Sequence, residues 1–147
     1  MNFVINGLND ETRVSYSMIN DENIEIGTAE GLTNQYGELH CVIKVYNPDQ
    51  HRKGIGFTAF NKIYNSLNKN KNIEKIFGNW HAGGEFEYAE NGLSTNLKCF
   101  QEALETGKTK EESAFETPTG KWAKKLGYTN CCIISFSQAE VSVKFTK

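Results

Sequence analysis

Residues 51–56, His51-Arg52-Lys53-Gly54-Ile55-Gly56, combine two cations with two glycines in a pattern suited to holding an anion. Upstream stand the β-branched Val42, Ile43 and Val45, followed by the turn signal Asn47-Pro48-Asp49. Downstream, Ile55, Phe60, Ile63, Tyr64 and Leu67 recur at helical spacing. The segment therefore reads as a strand, a basic glycine turn and an amphipathic helix. Such a turn leaves backbone N–H groups at a helix N-terminus, where the macrodipole also favours negative charge. Gly54 and Gly56 let a phosphate approach the backbone with no Cβ in the way, and Arg52 and Lys53 add charge at the rim. The chemistry this implies is a pyrophosphate cradle. A Walker loop is excluded, because Gly56 is followed by Phe57-Thr58 and not by Lys-Ser or Lys-Thr. A dinucleotide fingerprint is excluded too, since it needs a third glycine.

The whole chain limits what such a cradle can serve. Its 147 residues suit one domain with a real core, residues 1–147. A net charge of −2 argues against broad affinity for nucleic acid or anionic lipid. No apolar run approaches the roughly 18 residues of a membrane span. The first residues, Met1-Asn2-Phe3-Val4-Ile5-Asn6-Gly7, lack the basic and apolar regions of a secretory signal, so a cytoplasmic location is expected. Cys41, Cys99, Cys131 and Cys132 show no C-x-x-C spacing, and adjacent Cys131-Cys132 on a strand would point to opposite faces. Reduced thiols and no metal site are the expectation.

Short elements then follow along the chain. Residues 2–8 and 13–19 read as strands and residues 23–27 as a third, with 28–37 rich in turn residues. Residues 38–46 form the strand before the glycine turn, and the helix spans about 55–69. Residues 73–80, with Ile73, Ile76, Phe77 and Trp80, are a second buried strand that Ala82-Gly83-Gly84 breaks. Ser94 is placed to cap a helix carrying Leu97, Phe100 and Leu104 and closed by Gly107. Thr117-Pro118 opens another, which Gly127 ends. Residues 130–136 and 141–145 make a hairpin.

The segment from Val42 to Gly56, running on to Tyr64, resembles motif A of the GCN5-related N-acetyltransferases, with His51 where Gln or Arg is usual. Residues 120–128 resemble that family's late helix: Trp122, Leu126, Gly127 and Tyr128 match, while Ala123 stands where a Tyr often protonates the leaving thiolate. The order of elements is similar to that fold over nearly the whole chain. The resemblance implies a mixed α/β (α+β) fold with a central mixed sheet, flanked by helices, in which the strands 38–46 and 73–80 are parallel neighbours that splay apart. It implies an acetyl-CoA-dependent N-acetyltransferase acting on an amine acceptor, with acetyl-CoA held by Val45, His51, Arg52, Lys53, Gly54, Ile55 and Gly56. The expected proton route runs through His81 and Glu85, just past the second strand, and Tyr128 replaces the missing thiolate acid. Glu87 and, on the earlier strand, Glu38 and His40 are further candidate bases, and Ser94 is an alternative to Tyr128 for the thiolate.

Two other readings stand beside this one. The substitutions at His51 and Ala123 fit a binding module with a degenerate cofactor groove. The aromatic Gly-Gly loop and residues 114–128 loosely resemble bacterial polymorphic toxin domains, which would make the chain a bacterial effector with a cognate partner protein. A nuclease would have to draw on His40, His51 and His81, whose spacing matches no known arrangement. The acceptor class stays open between a small amine, a protein N-terminus, a lysine and aminoacyl-tRNA, the last disfavoured by mild acidity.

Overall fold

The computed structural model describes residues 1–47, 54–82 and 95–147. Two compact units make up the chain, Met1–Glu74 and Lys75–Lys147. Both combine strands with helices, so the α+β class read from the sequence is the class observed.

The first unit is an antiparallel meander of β1 (Asn2–Ile5), β2 (Arg13–Ile19), β3 (Glu25–Thr33) and β4 (Glu38–Val45), each paired with the next. Helix α1 (Ile55–Asn68) covers one face, burying Ala59, Phe60, Ile63, Tyr64 and Leu67. The sheet presents Val14, Tyr16, Met18, Ala29, Leu39 and Val45 in return, all buried. Residues 28–33, expected as turn, are strand instead, and packing gives the reason. A Cβ on Gly31 would lie 2.2 Å from Cγ2 of Ile63, and one on Gly27 would lie 2.1 Å from the Lys44 carbonyl oxygen. These glycines admit the helix and the neighbouring strand and do not mark a turn. Tyr16 ties sheet to helix through its hydroxyl, 3.1 Å from Ser66 Oγ.

The second unit pairs β5 (Lys75–His81) with β7 (Glu140–Thr146), and β7 with β6 (Asn130–Phe136), all antiparallel. Three helices, α2 (Thr95–Glu105), α3 (Lys110–Phe115) and α4 (Pro118–Lys125), pack with one another and on the sheet. Trp80, Leu97, Phe100, Ala114, Ala123, Tyr128, Val141, Val143 and Phe145 are buried there. The Trp80 ring lies over Gly78, where a Cβ would come within 2.8 Å of it, and it stands 6.3 Å from the Phe100 ring and 6.4 Å from that of Phe145.

Candidate functional site

β4 ends with Val45 buried, and the Tyr46 N–H donates to the Ile26 carbonyl (2.9 Å). The Tyr46 hydroxyl donates to Glu25 (2.9 Å). Hydrogen bonds from Ser17 and then Tyr46 hold the Glu25 carboxyl below its ordinary range. Gly54 is the N-cap of α1, with φ 80 and ψ 0, a left-handed conformation that costs glycine nothing. Its carbonyl accepts from the Thr58 N–H (3.0 Å) and the Thr58 hydroxyl (2.8 Å), closing the first turn. Among the described residues no side chain caps this end, and no acidic residue stands in the first turn. Helix geometry leaves the leading N–H groups without intrahelical acceptors. Among the described residues, a Cβ on Gly54 would meet nothing within 4 Å. Val45 thus ends β4, and Ile55 and Gly56 open α1 behind Gly54, all four in the first unit. His51, Arg52 and Lys53 lie outside the described residues, as do Glu85, Glu87 and Ser94.

The second unit holds His81 and Tyr128. His81 is the last residue of β5 and is half-buried. Its partner in the ladder is Glu140 of β7, and one step further the Ala82 N–H donates to the Ala139 carbonyl (2.9 Å). Tyr128 is fully buried behind Gly127, its N–H donating to the Ala123 carbonyl (3.0 Å), with the Lys147 ammonium 5.2 Å from its ring centre. Ala123, at the position of the family's frequent Tyr, is completely buried. Glu38 opens β4 half-buried, and His40 is exposed on that strand.

Glu140 escaped the sequence reading, which began the last strand at Val141. The register of the ladder, Trp80 with Val141, sets Glu140 against His81. Among the described residues no group of three or more His, Cys, Asp or Glu side chains is arranged to hold a metal ion. No helix among them is long and apolar enough to cross a membrane.

No protein-family model matches this sequence, and no curated protein matches it. Solved structures do match. A domain from Methanocaldococcus jannaschii aligns with a TM-score of 0.50 at 12% identity, over 94% of this chain and 69% of that one. A mutant spermidine N-acetyltransferase from Vibrio cholerae gives 0.47 at 11% identity, over 93% of this chain and 66% of that chain. An acetyltransferase of the GNAT family from Staphylococcus aureus gives 0.44 at 10%, over 91% and 68%. The chain therefore spans about two thirds of the length of these structures, and the likeness is one of fold.

Proposed function

We propose that this chain, acting as one domain, is an acetyl-CoA-dependent N-acetyltransferase with an amine acceptor. The observation that carries the reading is the start of α1: a left-handed glycine N-cap, uncapped by any described side chain and free of acidic residues in its first turn. The pyrophosphate of acetyl-CoA suits that terminus, with the amides of Gly54, Ile55 and Gly56 as donors and His51, Arg52 and Lys53 supplying charge. Val45, at the end of β4, lines the approach. Bound there, the thioester supplies an acyl carbon activated toward a neutral amine. The acceptor must first shed its ammonium proton, and taking it is the role proposed for His81 and Glu85. As the amine nitrogen bonds to the acyl carbon and the carbon–sulfur bond breaks, the nitrogen gives up its second proton. The thiolate takes one proton, for which Tyr128 is the proposed donor, and the nitrogen's proton replaces it. Acetyl-CoA and R–NH3+ thus give the amide, CoA thiol and one proton. The setting proposed is the cytoplasm.

Calorimetry with CoA tests the first half. Gly54→Glu is expected to abolish binding through bulk and like charge. Gly54→Asn, which tolerates the left-handed conformation, is expected to stay folded while binding more weakly. A ligand at 100 times its dissociation constant stabilises by about 2.7 kcal/mol. Saturating CoA with neither heat nor a rise in melting temperature would sink the reading. The second half rests on His81→Ala and Glu85→Gln, each expected to cut turnover at least about 100-fold, the lower range for a general base, with CoA affinity kept.

The buried Ala123 favours one alternative, a CoA-binding module without transfer. Binding of CoA with no acetylation of any amine, protein or aminoacyl-tRNA acceptor would select it.

A further inference from the structure

Strands β2 and β3 slip by one residue at one end of their ladder. Met18 stands opposite Gly27 and Ile19 opposite Glu25, so Ile26 has no counterpart on β2. A bulge of this kind re-aims the side chains beyond it. Unbroken alternation would put Glu25 in line with Gly27, Ala29 and Gly31, on the face where Gly31 meets Ile63 of α1. With the bulge, Glu25 shares the face of its partner Ile19, and therefore of Ser17. That face is turned away from α1, since Tyr16 reaches Ser66 and Met18 is fully buried on the other.

Two hydroxyls then hold the carboxylate. Tyr46 Oη donates to Glu25 Oε2 (2.9 Å), and the Ser17 hydroxyl donates to the same group. Ser17 Oγ in turn accepts from Asn6 Nδ2 (2.9 Å). Both donors to Glu25 are neutral, so they orient its charge without offsetting it. Among the described residues no ion pair joins Glu25 to a cation. Lys44 shares the face, through the rung of Ser17, Thr28 and Lys44, without pairing to it.

The carboxylate also stands beside the candidate site. Val45 pairs with Gly27, which is two residues along β3 from Glu25, about 7 Å. Tyr46 follows Val45 directly, and its backbone is fixed by the bond from its N–H to the Ile26 carbonyl (2.9 Å). Glu25 is thus anchored next to the strand end along which the acyl-transfer reading lays acetyl-CoA. The hydrogen bonds from Ser17 and Tyr46 hold its carboxyl below the ordinary range, which makes it a poor base near neutral pH. A carboxylate of that kind suits a positive charge that stays positive.

We propose that Glu25 is an acceptor-specificity residue, its carboxylate receiving an ammonium or guanidinium group that the acceptor carries in addition to the amine to be acetylated. The substrate class is an amine with a second, permanent cation: one nitrogen reacts and the other stays charged against Glu25. This assignment rests on the acyl-transfer reading above, whereas the cation site by itself does not. Glu25 is exposed, so the preference it supports is that of a surface ion pair, up to about fivefold.

Diaminobutane and butylamine have the same carbon chain and differ by the second cation, which makes them the probes. NMR titration of the intact protein with diaminobutane, without acetyl-CoA, is expected to move the amide signals of Ser17, Glu25 and Tyr46. Glu25→Gln should weaken that binding about fivefold, and because Gln keeps an oxygen for the Tyr46 hydroxyl, the variant removes charge and little else. Glu25→Asp should retain part of the affinity. Glu30→Gln should leave it unchanged: its rung lies at Ser15, four residues of β2 from that of Glu25. Four residues span about 13 Å, beyond the screening length of about 8 Å at physiological salt. With acetyl-CoA, the ratio of kcat/KM for diaminobutane over butylamine should fall about fivefold in Glu25→Gln, with KM for acetyl-CoA unchanged. Diaminobutane affinity that is equal in wild type and Glu25→Gln, or a ratio that survives the substitution, overturns the proposal. If the affinity falls as expected while no acceptor is acetylated, the cation site stands and the acyl-transfer reading falls instead.

Discussion

The four thiols differ in setting, and their reactivity should follow. Cys131 is pushed up to about 12, first by burial and then by the nearby Glu111 and Cys132. Burial alone raises the Cys41 thiol, whose sulfur lies on the α1 side of the sheet, 3.6 Å from where a Gly31 Cβ would sit. Cys132 is exposed. The thiolate is the reactive form, so an aromatic disulfide reagent at pH 8 is expected to label Cys132 first and to spare Cys41 and Cys131 until the protein is denatured. Labelling of all four at one rate in the folded protein would contradict that depth order. Gly31 makes a second residue-scale case. Its replacement by Ala forces a methyl into Cγ2 of Ile63, a β-branched side chain with little freedom to turn away. Overpacking of this kind costs about 1–3 kcal/mol, readable as a lower urea midpoint at unchanged slope.

Helix α3 depends on its cap more than on its length. Thr109 Oγ1 accepts from the Glu112 N–H (3.1 Å), and Glu112 Oε1 accepts from the Thr109 N–H (3.1 Å), a reciprocal capping box. Losing such a cap costs about 1 kcal/mol, which Thr109→Ala should show in chemical denaturation. Hydrogen bonding from Thr109, its backbone N–H first and then its side chain, lowers the Glu112 carboxyl from its ordinary 4.5. A carboxyl depressed in the folded state contributes stability above its unfolded value and loses it as pH falls through the folded value. The melting temperature should therefore decline below about pH 4.5, and less steeply in Glu112→Gln. This helix was also the one the sequence reading missed, because Lys110–Phe115 is one polar turn and a half with no apolar period. Helix α1, strand β5 and helix α4 were legible because local signals agreed with packing: an apolar stripe, a run of apolar residues, and Pro118 at the first helical position. Gly27 and Gly31 misled because their reason is tertiary, a close approach invisible to a local window. For the candidate site, the glycines Gly54 and Gly56 stood out by their spacing, whereas the pairing of β5 with β7 needed the register of a ladder between strands far apart in sequence.

At the scale of the molecule, each unit by itself is close to the lower limit for an independent fold. Below about 70–80 residues a single apolar core rarely supplies more than about 3–5 kcal/mol, and the boundary after Glu74 cuts the chain near its middle. In the first unit one helix covers a four-stranded meander on one face, and in the second three helices serve a three-stranded sheet. Cores of that size make separate stability costly, which favours the chain acting as one domain. Differential scanning calorimetry is expected to show a single transition with equal calorimetric and van't Hoff enthalpies. At about 0.7 kcal/mol per residue near 60 °C, 147 residues give an enthalpy of about 100 kcal/mol. Both tryptophans, Trp80 and Trp122, lie in the second unit, so their fluorescence follows that unit alone. Far-ultraviolet dichroism follows both, and the two curves should coincide if one domain unfolds. Two resolved transitions, with fluorescence tracking only one, would assign two domains. In that case saturating CoA should raise only the transition containing Gly54, because a ligand stabilises the unit that binds it.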